Sequence, residues 1–420
     1  MKRRELLQGV GIAAGSLAAA PLIACAKNPE EPAEVTPTDV LVVGGGTAGA
    51  IAAIAAARAG AKVTLVEMVS QLGGTTTTGG VNFPGLFHAW GGKQVIAGIG
   101  WEMVTKCVEL GNETLPDFSK FDFKRHPQSQ VLVNPYIYAA LLEEAVLAAG
   151  VDLHYYLTPK KVTATDDGWK VACYGKNTEL VFQCKQLIDC TGDANVVGLA
   201  GLKRLREKII QPGSLVYKLT GQRPATQRHI PGADSSTATT WTAANIAGRK
   251  EMLRRLRLAR ANPKSKNTTV EYCAPETAVR ETYRIDGETL ITADDFVTGR
   301  VFPDSLAYSF YPIDLHRDKD PISRPMNLKE EEGALPTIPL GALIPRGAKN
   351  LLAAGRCISS DRYANSALRV QASCMAMGQV AGVSAALAAK EGETPKNLPL
   401  AAIKKVLLEQ KAIVPGEKGA

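Results

Sequence analysis

The sequence predicts an α/β protein built on a parallel sheet, discontinuous along the chain, with an α+β segment inserted into it. Three stretches carry that expectation. Asp39 to Met68 spells strand, glycine turn, alanine-rich helix and second strand. Gln186 to Asp193 is an apolar strand closing in Thr-Gly-Asp, and Asn350 to Ala388 is a short strand followed by a helix rich in small residues.

In the first stretch, Val40 to Val43 has the length and β-branched content of a buried parallel strand. Gly44, Gly46 and Gly49 follow at G-x-G-x-x-G spacing, with Thr47 and Ala48 between the last two, then a helix from about Ala48 to Ala59 and a strand from Lys62 to Val66. Gly44 permits a tight turn, Gly46 lets backbone N–H groups reach a pyrophosphate, and Gly49 lets the helix lie close on the strand. The helix N-terminus offers unpaired N–H donors to the phosphates. Glu67, followed by Met68, stands where a carboxylate accepts both ribose hydroxyls and repels a 2′-phosphate. This is a Rossmann-like βαβ unit for a dinucleotide, with NAD and FAD equally suited.

Ahead of that unit, Lys2, Arg3 and Arg4 precede an apolar stretch, Val10 to Ala24, too short to span a bilayer permanently. The expected parts are an export signal of the twin-arginine kind over 1–24 and a Pro-, Glu- and Thr-rich tether over 25–38. Leu22-Ile23-Ala24-Cys25 resembles a lipoprotein signal with Cys25 as the lipidated residue; an ordinary cysteine beside a cleavage site is the alternative. The protein is therefore expected outside the cytoplasm, in the periplasm or anchored to a membrane. The formal charge of +8 falls to +6 once the +2 of residues 1–24 is removed. With no lysine-rich tail and no interleaved aromatics, a nucleic-acid partner is not expected. The seven later cysteines form no C-x-x-C, so neither a thiol redox pair, an iron–sulfur cluster nor a c-type haem is signalled. Buried thiols are the default.

After Glu67, the loop from Gln71 to Asn82 sets four threonines between two Gly-Gly pairs, offering hydroxyls and close backbone approach at Gly73, Gly74 and Thr75. A solvated surface loop is the alternative. Helical patterns cover Ile96 to Leu110 and Pro135 to Ala149, the second capped by Asn134 and closed by Gly150. Strands are expected at Val151 to Tyr156, Lys161 to Thr165, Trp169 to Tyr174 and Glu179 to Cys184, before the strand that ends in Thr191-Gly192-Asp193.

The βαβ unit, the Gly-Gly-Thr loop and IDCTGDANVVGLAG together resemble the flavoprotein superfamily built on the glutathione-reductase-type FAD domain. Further segments resemble a bacterial FAD-dependent oxidoreductase family of mostly unassigned substrates: QPGSLVYKLTG from Gln211, VRETYRIDGETLITADDF from Val279, FYPIDLHRD from Phe310, and NLLAAGRCISSDRYANSALRVQASCMAMGQVAG from Asn350. The resemblance implies that Val162 contacts adenine through its backbone. It implies that Thr191, Gly192 and Asp193 lie near the dinucleotide and that Gly355 and Arg356 turn beside the ribityl chain. A helix beginning near Ala367 would aim its N-terminus, with Arg369 and Val370, at the flavin pyrimidine edge, where fixed N–H dipoles stabilise negative charge. Within that helix Gly378 and Gly382 permit tight packing on the sheet. Where relatives often carry a histidine, this chain has Asp361-Arg362, which removes support for proton transfer there.

The organisation expected is thus 39–201 and 340–395 for the two parts of the FAD-binding domain, 202–339 for a substrate-facing domain covering the flavin, and 396–420 for a tail helix. Arg249 to Lys266 is a basic helix and polar loop, a solvated face or one for an anionic surface. Asp314 and His316 share a parity on a strand-like segment with Tyr311. There His316 either exchanges a proton, as an imidazole near neutral pH can, or pairs with Asp314 to hold a turn. Arg280 and Arg284, with Arg362 and Arg369, form either a cationic wall for a carboxylate or carbonyl oxygen or ion pairs with Glu281, Asp286 or Asp361. His316, Arg369, Arg284 and Arg280 are the catalytic candidates. The expected activity is an exported oxidoreductase moving two electrons between non-covalent FAD and a sugar, polyol or organic acid, with a quinone or separate carrier as partner and no metal. A redox-inactive binding lipoprotein and a non-redox flavin-dependent transferase or isomerase are the rivals.

Overall fold

The computed structural model describes residues 34–221, 226–316 and 331–417. The export signal, Cys25 and most of the tether lie outside the described residues.

The first strand, β1, runs Val35–Val43, so it begins inside the stretch expected to be a tether. Val35 to Thr38 pair only with a later strand on one side, while the other neighbour joins at Val40, which leaves Pro37 with one edge open. Helix α1 (Thr47–Arg58) and β2 (Val63–Glu67) complete the βαβ unit. Next come α2 (Ile99–Leu110) and α3 (Pro135–Ala148), the latter capped by the Asn134 side chain. Four strands follow: β3 (Asp152–Tyr155), β4 (Thr158–Thr165), β5 (Gly168–Gly175) and β6 (Thr178–Asp189). Two separate strands were expected across 179–193, and β6 is one. Its first half pairs with β5 and its last residues with a strand from the chain's far end, so one long strand serves two neighbours along the same edge.

Six strands of the central sheet follow the order β3-β2-β1-β6-β5-β4, parallel from β3 to β6 and antiparallel through β5 and β4, and a seventh, from the chain's far end, pairs with β6. The short helix α4 (Asn195–Leu199) ends the first part of the core. The inserted segment then forms three small sheets and covering helices. Strands β7 (Arg204–Arg206), β8 (Gly213–Leu219) and β9 (Thr226–Ile230) precede α5 (Ala238–Ala261), with β10 (Val270–Cys273) and β11 (Tyr283–Ile285) after it. The segment ends with α6 (Ala293–Val297), β12 (Ser305–Tyr308) and β13 (Thr337–Pro339). β8 is the middle of β10-β8-β9, while β11 pairs with β7 and β12 with β13. α5 lays Ala244 and Gly248 against this sheet, where a Cβ on Gly248 would stand 3.1 Å from that of Leu215. Its basic residues face outward, with Arg254 and Arg255 paired to Glu251. Despite its alternating pattern, Ser309 to His316 is not a strand.

The chain returns to the core through β14 (Leu351–Ala353), parallel to β6. In place of one helix from Ala367, two follow: α7 (Arg362–Leu368), capped by Asp361, and α8 (Gln371–Glu391). Val370 is extended (φ −69°, ψ 152°) and breaks the helix, so the new N-terminus opens at Gln371. Gly378 and Gly382 pack on α1 instead of the sheet: a Cβ on either would lie 2.2 Å from the carbonyl oxygen of Ala48 or Ala52. That helix pair, with alanine on one side and glycine on the other, is the centre of the main core. α9 (Leu400–Glu409) packs on α8 and is shorter than the tail helix expected over 396–420.

Candidate functional site

A cavity of about 890 Å³ opens where β1, β2 and β6 end, the position at which open α/β sheets hold ligands. Its volume suits a large cofactor with room beside it. Gly44, Gly46, Thr47, Ala48, Glu67, Met68, Gly74 and Thr75 line it, together with Thr191, Gly192, Asp193, Gly355, Arg356, Arg369 and Val370.

The glycines act by what they lack. Gly44 has φ +98°, and a Cβ there would meet the Cys190 carbonyl oxygen at 2.6 Å. Gly49, behind the wall, lets α1 lie so close that a Cβ would fall 1.7 Å from the Gly44 oxygen. Gly46 begins α1 with its N–H groups free of side-chain caps. The threonine loop docks on this turn: Gly73 N–H donates to Gly45 O at 2.9 Å, and a Cβ on Gly74 would lie 3.0 Å from Gly46 Cα. Of the four threonines, Thr75 and Thr78 line the cavity, while Thr76 donates to Gln371 and Thr77 to Leu72 O.

Glu67 accepts from Gly45 N at 2.6 Å and Val69 N at 3.0 Å, one bond on each oxygen. Burial raises its pKa against those bonds. Asp193 gathers Arg356 (2.6 Å), Thr282 (2.6 Å) and Ser235 (2.8 Å), and Arg356 also donates to Gly192 O and Val279 O. This pair stitches the inserted segment to the sheet. Val162 is not in the wall. It is buried within β4, and Leu157, Thr158 and Pro159 line the cavity instead, because the chain turns at Tyr156 (φ +62°) before β4 begins.

At the far end, Arg280, Tyr311, Asp314, His316, Arg369 and Gln130 converge. His316 Nε2 and Asp314 Oδ2 are 2.9 Å apart, so the His–Asp pair forms without a strand. Arg369 donates to Asp314 O at 3.1 Å and lies 3.6 Å from its carboxylate, while its Nε is buried with no partner among the described residues. Burial works against the Asp314 charge, but the His316 hydrogen bond and the Arg369 charge outweigh it and hold the carboxyl well below the usual range. Arg280 donates to Pro212 O and Ser214 Oγ and meets no carboxylate within ion-pair distance among the described residues; burial and the neighbouring Arg369 bring it down to about 10. Burial and Asp314 push the Tyr311 phenol up to about 12.

Arg284 does not belong to this wall. It is 4% exposed and held by Glu281 at 3.4 Å, Glu207 at 2.8 Å and the Ser360 carbonyl, because its side chain turns into the protein from the β11 ribbon. Arg362 likewise pairs with Glu281 at 3.0 Å. Sequence reasoning missed Gln130, His229 and Glu276. Gln130 donates to Tyr311 OH at 3.0 Å, and His229 stands edge-on to His316 at 4.8 Å. They sit on loops and a short strand whose sequence carries no periodic signal. All seven described cysteines are free; Cys190 and Cys374 reach the cavity, but burial pushes their thiols far up, Cys374 to about 12.

The donor set fits FAD: a glycine cradle at a helix N-terminus, a carboxylate at the end of β2, and a second helix N-terminus at Gln371 further along the cavity. The model of the FAD dependent oxidoreductase family matches residues 39–206 and 202–407. Over 88 residues the chain is 41% identical to the acrylate reductase flavoprotein subunit of Shewanella woodyi, a match spanning 21% of this chain and 17% of that one. Solved structures with a similar course include the anhydrotetracycline hydroxylase of Streptomyces rimosus (TM-score 0.45, 14% identity, 90% of this chain and 66% of that one). A geranylgeranyl bacteriochlorophyll reductase-like protein of Thermoplasma acidophilum is another (TM-score 0.42, 13% identity, 90% and 85%). With the family model covering nearly all of the described chain, the protein belongs to the FAD-dependent oxidoreductases, and FAD is its cofactor.

Proposed function

We propose that this oxidoreductase acts on a small organic acid, held by its carboxylate at the Arg280–Arg369 end of the cavity. The observation that carries the reading is an imbalance of charge. Two arginines face the cavity there and share one acid, Asp314, with His316: Arg369 lies 3.6 Å from it, and Arg280 feels its charge but is within ion-pair distance of no carboxylate among the described residues. A half-buried guanidinium without a carboxylate is stabilised by an anionic ligand. The relative's printed substrate, acrylate, is a small acid of this class, which supports the reading over sugars and polyols.

Bound FAD supplies the two-electron donor or acceptor. The chain's residues do the rest. Arg280 and Arg369 bind and orient the acid, and the orphaned Arg369 Nε is a donor ready for it. His316, with Nε2 turned to Asp314, keeps Nδ1 for exchanging a proton with the substrate. Tyr311 stays a neutral hydrogen-bond donor at physiological pH. No His or Cys occurs between Met68 and Asn82, which supports non-covalent attachment. A screen of unsaturated and hydroxy acids, sugars and polyols, following bleaching or recovery of the flavin bands, tests the proposal: acids are expected to turn over, and activity confined to neutral compounds would refute it.

We also infer export and membrane anchoring through Cys25, supported by Lys2-Arg3-Arg4 and Leu22 to Cys25. Fractionation of the wild type and Cys25→Ser tests this, with the variant expected in the soluble fraction. A quinone or separate carrier then closes the electron cycle.

A further inference from the structure

Two acids from distant parts of the chain share the dinucleotide end of the cavity. Glu67 stands at the end of β2, and Glu276, between β10 and β11, lines the same wall. Glu276 is tied to the threonine loop: its backbone N–H donates to Thr78 O at 3.3 Å. Thr78 in turn donates to Gly74 O at 2.9 Å, in the loop docked on the Gly46 turn. The backbone of Glu276 is therefore held to the loop docked on that cradle, and its side chain lines the same cavity.

No cation offsets it among the described residues. On its own segment, Glu271 is paired with Lys218. From α5, Arg249 donates to the Pro275 carbonyl, not to a carboxylate. From the sheet, the nearest charge is Glu67, which repels. Arg356 is committed to Asp193, and Arg280 and Arg369 serve the other end. A diphosphate entering this wall would meet the Glu276 carboxylate with no cation beside it among the described residues; removing that charge relieves the clash. Burial and Glu67 already push Glu276 up to about 7.

We infer that FAD binding is coupled to a proton on Glu276: the protein holds FAD tightly when this carboxyl is neutral and weakly when it is ionised. Each binding event above neutrality then takes one proton from solvent. The sign follows from linkage. The diphosphate raises the pKa of Glu276 further in the complex, so affinity is full below the value of the free protein and falls as pH rises through it. The inference rests on FAD occupying this cavity and not on the substrate proposed above.

The test reads binding, not turnover. Holoenzyme is diluted at pH 6 and pH 8 and the released flavin followed by fluorescence. The dissociation constant is expected to weaken roughly tenfold across that interval. Titration calorimetry at pH 8, in two buffers of different ionisation heat, is expected to find close to one proton taken up. Glu276→Gln should hold FAD equally at both pH values, as tightly as the wild type at pH 6. A wild-type dissociation constant that does not change with pH, absence of proton uptake at pH 8, or a Glu276→Gln variant that keeps the wild-type slope would overturn the inference. The calorimetric proton count needs no variant, so it decides even if the substitution impairs folding.

Discussion

The two ends of the cavity are made of different material. The dinucleotide end is backbone: Gly44, Gly46, Gly49 and Gly74 place N–H groups and carbonyls within van der Waals contact, and a single Cβ at Gly44 or Gly49 collides with main chain. The far end is side chain: Arg280, Tyr311, Asp314, His316 and Arg369 arrive from loops and helix ends, Asp314 joining His316 and Arg369 while Arg280 rests on Pro212 O and Ser214 and Tyr311 on Gln130. Backbone geometry leaves a fixed spacing in sequence because turns demand particular residues at particular steps. A side-chain constellation leaves none, because only tertiary contacts bring its members together. One end therefore tolerates almost no substitution, and the other is open to change of specificity.

The largest expected effect breaks the first end. Gly49→Val drives a branched side chain into the Gly44 carbonyl, and a stability loss above about 4 kcal/mol with no FAD retained is expected; flavin content after purification and reconstitution reports it. Next, Arg284→Gln leaves Arg362 as the one cation on the buried Glu281 among the described residues and takes a donor from Glu207 and the Ser360 carbonyl, costing about 3 kcal/mol in urea unfolding. Its kinetics per bound flavin should stay unchanged, which separates this arginine from Arg280. Arg280→Gln is expected to keep its FAD yet lower kcat/KM for the acid about a hundredfold, roughly 2.7 kcal/mol of lost transition-state binding. Equal flavin loss in that variant would merge the two ends into one unit.

The smallest effects concern pH. Tyr311→Phe should alter kcat less than about tenfold and leave the alkaline limb in place, since a phenol pushed up to about 12 stays protonated throughout the assay range. Asp314 has a depressed carboxyl. Its contribution to stability is present above the ordinary unfolded value and is lost only as pH falls through its lower folded value. The Asp314–Arg369 contact should therefore survive mild acid. Rate–pH profiles of Tyr311→Phe and acid unfolding of the wild type decide the two points.

How far the sequence disclosed this follows from the same contrast. The βαβ unit, the threonine loop and the return at Gly355-Arg356 were legible because each depends on local steps. The resemblance points to Val162, whereas Leu157–Pro159 line the cavity, since the turn at Tyr156 has no glycine to announce it. The break between α7 and α8 was hidden because neither Arg369 nor Val370 is a helix breaker; Val370 is extended by tertiary context. Parity brought Asp314 and His316 together correctly, though no strand exists there. Arg280 and Arg284 looked alike at four residues' spacing, and only burial against Glu281 separates them.

The measurement closest to the central claim is titration of the oxidised holoenzyme with matched pairs of short unsaturated or hydroxy acids and their neutral amides, read by perturbation of the flavin absorption. The acids are expected to bind roughly a hundredfold more tightly than the amides, about 2.7 kcal/mol, with the difference lost in Arg280→Gln. Acids and amides binding alike would contradict a carboxylate site at Arg280 and Arg369.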